Sequence, residues 1–269
     1  MIAVVDYQKG NLKSVERGLI AAGGEALITA DASEIAKADA IVLPGVGAFA
    51  DAAATMCELG QMEAIRDRVR AGVPFLGICL GEHLMFEHGV EGASEGNPAC
   101  GLGLLPGTVV AMPRYDAQGK AFKVPHVGWN TIEMPACNGG AAVPPCGEGG
   151  GNAVLSSGGA GGGAARSSAA KRGLFEHGAF PDSTPQPGSN LAFACPLFDG
   201  IAPGEYFYFT HSYIAPTGSH TIAETTHSVR FTSAVQFGEC AFGVQFHPEK
   251  SSDAGARVLA NFVAIAARG

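Results

Sequence analysis

"PFLGICLGEHLMF" (Pro74–Phe86) begins as an apolar run, breaks at Cys79 between Gly77 and Gly81, and resumes in a helical pattern. A strand that turns sharply into a helix through small residues has the form of a nucleophile elbow. The flanking glycines let neighbouring backbone close in, and the middle side chain projects outward. A thiol at that corner, opening the helix expected over "LGEHLMFEH", would sit in the positive field of a helix N-terminus, and a nearby imidazole would further favour thiolate. A buried cysteine beside packing glycines is the competing reading, and G-x-C-x-G alone does not separate the two.

Outward from the elbow, apolar runs alternate with amphipathic ones. "IAVVD" (Ile2–Asp6), "EALIT" (Glu25–Thr29), "AIVLPG" (Ala40–Gly45) and "VPFLGI" read as strands. Between them, "LKSVERGLIAAG" carries Leu12, Val15, Leu19 and Ile20 near helical spacing, with Asn11 placed to cap it and Gly23-Gly24 to stop it. "LGQMEAIRDRVRAG" is a second amphipathic helix. Alternation of this kind predicts right-handed crossovers and a mainly parallel sheet, whose reactive groups collect beyond the carboxyl ends of the strands. After about residue 102 short strands with turn residues predict antiparallel β structure in the same domain, and a last helix, "DAGARVLANFVAIAARG", has Asp253 as its expected N-cap.

Composition narrows the class. The chain has 269 residues, 46% of them hydrophobic, enough for a full core. A net charge of −8 argues against nonspecific binding to nucleic acid or an anionic membrane. "MIAVVDYQKG" lacks the pattern of a signal peptide, and no apolar run reaches the roughly 18 residues of a spanning helix. Seven cysteines without a C-x-x-C pair read as reduced thiols in a cytoplasmic protein. No metal-ligand spacing, P-loop or dinucleotide fingerprint is present, so neither metal nor cofactor is expected. Many of the 39 glycines fall between about Pro135 and Ala194, where Gly, Ala, Ser and Pro dominate. That stretch reads as a disordered insertion in a single domain spanning 1–269, or as a regulatory arm centred on "RGLFEHGAF".

"GVQFHPEKSS" supplies a second chemical element. His247 and Glu249 follow an apolar strand, and Pro248 favours an extended His247, so the two side chains can point the same way. Alone, His-Pro-Glu is as readily a turn with a capping carboxylate. Together with the elbow it makes a Cys79–His247–Glu249 triad, with His247 as base for the thiol and Glu249 fixing the ring. Acyl transfer also needs an oxyanion hole. Leu80 N–H is one candidate donor, and Gly45-Val46-Gly47 at the end of a strand is a second, although an ordinary glycine turn would look the same.

These residues resemble the class I (triad) glutamine amidotransferases. More narrowly, "DYQKGNLKSV", "LPGVGAFADA", "PFLGICLGEHLMFE", "GLGLLPGTVV", "KVPHVGWN", "YFYFTHSY" and "GVQFHPEKSSDAGARVLANF" together resemble the glutaminase subunits of imidazole glycerol phosphate synthases. The resemblance covers nearly everything except the insertion. It implies an α/β fold, flavodoxin-like, with a mixed, mainly parallel central sheet and peripheral antiparallel strands. It implies glutamine hydrolysis through a cysteinyl thioester, with ammonia channelled to a (β/α)8 barrel cyclase in a heterodimer of histidine biosynthesis. It also implies that Val46 and Gly47 border the oxyanion hole and that Glu91, Ser212 and Tyr213 hold the α-amino and α-carboxylate groups of L-glutamine. By the same resemblance Asn11, Trp129 and Lys250 lie near the partner surface.

Two departures stand out. His83 occupies the position where the family carries a glutamine that helps hold the substrate. It could bind substrate with its one donor or simply pack on the elbow helix. Gln8 replaces a glycine in "DYQKGN", where a glycine-only backbone would be costly for it. An enzyme of this fold serving another ammonia acceptor and a catalytically weak binding protein are the alternative readings. "KVPHVGWN" speaks against the first and the intact triad against the second.

Overall fold

The apolar runs pair into one central sheet. A computed structural model describes residues 1–135 and 193–268. Within them β1 (Ile2–Val5), β2 (Ala26–Thr29), β3 (Ala40–Gly45) and β4 (Phe75–Cys79) lie parallel, β1 between β2 and β3, and β3 beside β4. Helices α1 (Leu12–Ala21), α2 (Ala32–Ile35), α3 (Phe49–Glu58) and α4 (Gln61–Arg70) connect them. β1, β3 and β4 bury both faces, while edge strand β2 leaves Leu27 exposed, and alternate residues divide between two cores: Ile2, Val4 and Val42 on one side, Ala3, Val5 and Leu43 on the other. Each large side chain withdrawn in this way contributes about 1.5–3 kcal/mol of hydrophobic stabilisation.

Past the elbow the chain departs from expectation. The helix there is a single turn, α5 (Leu80–His83), and β5 (Phe86–Ser94) begins three residues later. Gly89 and Gly92 weaken any helical continuation. Phe86 and Gly89 instead face inward from a strand, and Gly89 passes so close to the Phe49 ring that a Cβ would collide with it. With β6 (Asn97–Cys100), β7 (Leu105–Ala111) and the later β10 (Tyr213–Ile214), β5 builds a second sheet in the order β10-β7-β5-β6. The β5–β7 pair is parallel, whereas strands from residue 102 onward had read as antiparallel. β8 (His126–Thr131) and β9 (Tyr206–His211) form an antiparallel ribbon.

The remaining strands complete the main sheet. β11 (Thr221–Thr226), β12 (Arg230–Phe237) and β13 (Ala241–Val244) extend it antiparallel to one another, but β13 docks parallel on β4, with Gly243 opposite Gly77 and Val244 opposite Ile78. That register sets the carboxyl ends of β4 and β13 side by side, and the chemistry of the site follows from it.

α6 (Ser252–Ala266) closes the described chain. Its N-cap is Ser251 rather than Asp253, which sits in the first turn where its charge suits the helix dipole. At the other end of the sequence, Asn11 does precede α1 but makes no side-chain cap, and Ile20 is exposed while Val15 and Leu19 carry the buried face. No helix among the described residues is long and apolar enough to cross a membrane. The insertion expected at about 135–194 lies, apart from its ends, outside the described residues. At its far end Phe193 is buried, its ring 4.9 Å from that of Phe198, so the core resumes there.

Candidate active site

Cys79 sits at φ +56°, ψ −106°, a conformation that costs an L-residue energy and that the surrounding backbone enforces. Gly81 packs so tightly under the elbow that a Cβ there would run into the Leu43 carbonyl oxygen, and one on Gly77 would strike the Gly81 carbonyl. The glycines flanking the thiol are therefore a steric requirement of the turn, as the sequence pattern predicts.

His247 leaves β13 extended, at φ −102° and ψ 96°. Its amide donates to the Tyr208 carbonyl at 2.9 Å, and its own carbonyl accepts the Ser251 hydroxyl at 2.6 Å. Pro248–Lys250 then forms a 3₁₀ turn, not the extended segment expected. The turn still brings Glu249 Oε1 to 2.9 Å from His247 Nδ1, and both side chains are buried. With Nδ1 committed to the carboxylate, Nε2 makes no hydrogen bond of good geometry among the described residues and interacts with the Cys79 sulfur. Burial disfavours charge on this ring, yet the sulfur and the Glu249 carboxylate together outweigh it and lift the imidazole to about 9. Burial likewise works to raise the Glu249 carboxyl, but the His247 imidazolium holds it below the usual carboxylate value. Asn11 Nδ2 donates to the same Oε1 at 3.5 Å, which is where its side chain goes instead of capping α1.

The Cys79 thiol opens on a cavity of 380 Å³. Val46, Gly47 and Leu80 line it, and so do His83, Glu91, Ser212 and Tyr213. Every residue assigned from the sequence to the oxyanion hole or to substrate is thus on one wall or another of a single pocket. Gly47 takes φ +102°, a conformation in which a glycine amide can be re-aimed at low cost. Half-buried Glu91 has its carboxyl raised chiefly by burial, against which the Phe49 amide works. His83 is nearly inaccessible, and its Nε2 is turned to Gln245 Oε1 at 2.6 Å.

Asn11, Trp129 and Lys250 lie away from the cavity. Trp129 is 42% exposed on β8, edge-on to Tyr208 with ring centroids 6.1 Å apart, and Lys250 Nζ stands 5.9 Å from the centroid of the same Tyr208 ring. Sequence reasoning missed Tyr208, and it missed Gln245, whose amide nitrogen is 3.6 Å from Cys79 Sγ. The signal for Gln245 was a lone polar residue ending an apolar strand two positions before His247. Among the described residues no group of His, Cys, Asp and Glu is arranged to hold a metal ion.

Comparison with known proteins gives the family. Residues 3–137 match the family described as glutamine amidotransferase class-I. The chain is 36% identical over 263 residues to imidazole glycerol phosphate synthase subunit HisH of Moorella thermoacetica, covering 97% of this chain and 93% of that protein. It is 34% identical over 264 residues to the subunit of the same name from Rhodopirellula baltica, covering 97% and 96%. A crystal structure described as a glutamine amidotransferase superposes with a TM-score of 0.58 at 15% identity, over 99% of this chain and 100% of the other, and so bears on the fold alone.

Proposed function

Given that this chain belongs to the class I glutamine amidotransferases and, within them, to the HisH subunits of imidazole glycerol phosphate synthase, we propose that it hydrolyses glutamine at Cys79 and delivers the ammonia to a cyclase subunit. The observation that carries the proposal is that Cys79 faces a cavity lined by all the expected substrate groups while coupled to a buried His247–Glu249 pair.

Cys79 passes its proton to His247 Nε2, its Sγ attacks the side-chain amide carbon of glutamine, and the amide oxygen takes up negative charge. Leu80 N–H, with a donor from Val46 or Gly47, receives that charge. His247 Nε2 gives its proton to the departing nitrogen, the C–N bond breaks, and ammonia leaves a glutamyl thioester. His247 Nε2 then takes a proton from a water that attacks the thioester and passes it to Sγ as the C–S bond breaks, which releases glutamate and restores the thiol. Glu249 keeps Nδ1 occupied throughout, so the proton traffic stays on Nε2. Glu91, Ser212 and Tyr213 hold the α-amino and α-carboxylate groups of the substrate.

The partner is a (β/α)8 barrel cyclase in a heterodimer, which uses the ammonia to form imidazole glycerol phosphate and aminoimidazole carboxamide ribotide in the cytoplasm. Its docking surface includes Asn11, Trp129 and Lys250. Exposed Val127, Trp129 and Tyr206 on the β8–β9 ribbon support this reading, because they offer an apolar patch beside a basic side chain. Glutaminase assays with and without a co-purified barrel cyclase test the proposal. Activity that rises with the cyclase supports it, and ammonia release indifferent to any partner opposes it.

A further inference from the structure

We infer that His83 is a positioning residue for the nucleophile, acting through Gln245, and is not mainly a ligand for substrate. This rests on the glutaminase reading above. His83 Nε2 lies 2.6 Å from Gln245 Oε1, and Gln245 Nε2 lies 3.6 Å from Cys79 Sγ. His83 and Gln245 are both buried, so water does not compete for these contacts.

The polarity of the chain follows from its ends. An amide oxygen can only accept, so His83 must carry its proton on Nε2 and donate. Burial pushes His83 down to about 4 against the Gln245 hydrogen bond, which keeps the ring neutral near neutral pH; Glu82 Oε2, 4.0 Å from the same Nε2, belongs to a carboxyl that burial raises well above its ordinary value. In that Nε2–H tautomer the Gln245 amide keeps its oxygen toward the ring and its N–H toward sulfur. Reversed, the amide would aim its carbonyl oxygen at a sulfur that becomes negative when it attacks. Cys79 as a thiol can donate to the Thr210 carbonyl at 3.9 Å and accept from Gln245 at the same time. As a thiolate it keeps the second contact, now charge-assisted.

Backbone register makes the arrangement possible. Val244 pairs with Ile78 across the β13–β4 ladder, so Gln245 comes abreast of Cys79 at the strand ends, while His83 reaches it from the turn that follows the elbow. Two buried supports therefore meet the sulfur: Glu249 through His247, and His83 through Gln245.

The test is the inactivation rate of the full chain by an electrophilic glutamine analogue that alkylates Cys79, resolved into a maximal rate and a half-saturating concentration. His83→Leu is expected to lower the maximal rate about tenfold, the worth of one charge-assisted hydrogen bond, and to leave half-saturation within about twofold. His83→Asn, whose amide stops short of Gln245, should do the same if the leucine variant folds poorly. His83→Gln restores a donor and should recover most of the rate. The double variant His83→Leu with Gln245→Leu should be no slower than Gln245→Leu alone, because both act through one contact. Wild-type maximal rates in both His83→Leu and His83→Asn, a loss confined to half-saturation, or additive losses in the double variant would overturn the inference. A wild-type chain whose Cys79 resists the analogue would instead sink the glutaminase reading on which it rests.

Discussion

His247 Nδ1 and Glu249 Oε1 lie 2.9 Å apart although a 3₁₀ turn, not an extended strand, separates the two residues. The contact gives the ring one nitrogen for holding and one for reacting. Its electrostatic consequence is measurable: the imidazole should titrate near 9 by NMR. Replacing Glu249 with Gln or Cys79 with Ala removes one of the two groups that raise it, so each midpoint should fall. The folded value is above the unfolded 6.5, so the stability that the raised imidazole contributes is full below 6.5 and is lost as pH rises through 9, whereas the share from the lowered Glu249 carboxyl is lost as pH falls. A midpoint indifferent to both substitutions would mean that the ring is coupled to neither.

Gln8 occupies φ +69°, its amide held by the Asp6 carboxylate at 2.7 Å. Left-handed backbone is strained for glutamine and free of strain for glycine, which offsets the extra flexibility glycine brings to the unfolded chain. Gln8→Gly should raise stability by about 0.5–1 kcal/mol in denaturant titrations. A fall in the unfolding midpoint would show that the Gln8 side chain has contacts worth more than the strain.

Glu82 is fully buried in α5, and among the described residues neither carboxylate oxygen has a hydrogen-bond partner. Burial holds its carboxyl well above the usual carboxylate range, so it stays neutral where an exposed glutamate would ionise. Glu82→Met, of similar length and without the polar atoms, should stabilise the fold by about 1–3 kcal/mol. The sign with pH is fixed: the folded state keeps a proton that the unfolded chain sheds above about 4.5, so the penalty grows, and the gain from methionine with it, as pH rises. Thermal unfolding at pH 5 and pH 8 measures both. A destabilised variant, or a gain that shrinks with pH, would contradict this account of the carboxyl.

Much of this was legible in the sequence because it is written locally. The apolar runs at Ile2, Ala40 and Phe75, the glycines around Cys79 and the Pro248 that holds His247 extended all act over a few residues. What escaped depends on partners distant in sequence. Periodicity does not say that β13 would dock parallel on β4, and only that register brings Gln245 to the thiol. Asn11 reads as a helix cap until Glu249, 238 positions away, arrives beside it. "LGEHLMFEH" has helical propensity, but pairing of β5 with β6 and β7 claims its last three residues. His83 reads either as a substitute ligand for substrate or as packing on the elbow helix. Its neighbour across 162 positions is what gives the imidazole a different task.

The central claim is that the Cys79 sulfur releases ammonia from glutamine for use by a second subunit. It is met most directly by assaying Cys79→Ala, in complex with the cyclase, with glutamine and then with ammonium salt as the nitrogen source. Glutamine-driven turnover should vanish and ammonia-driven turnover should continue at the wild-type rate. Glutamine-driven turnover that survives the substitution would contradict the account, and loss of both would assign Cys79 to folding or docking instead.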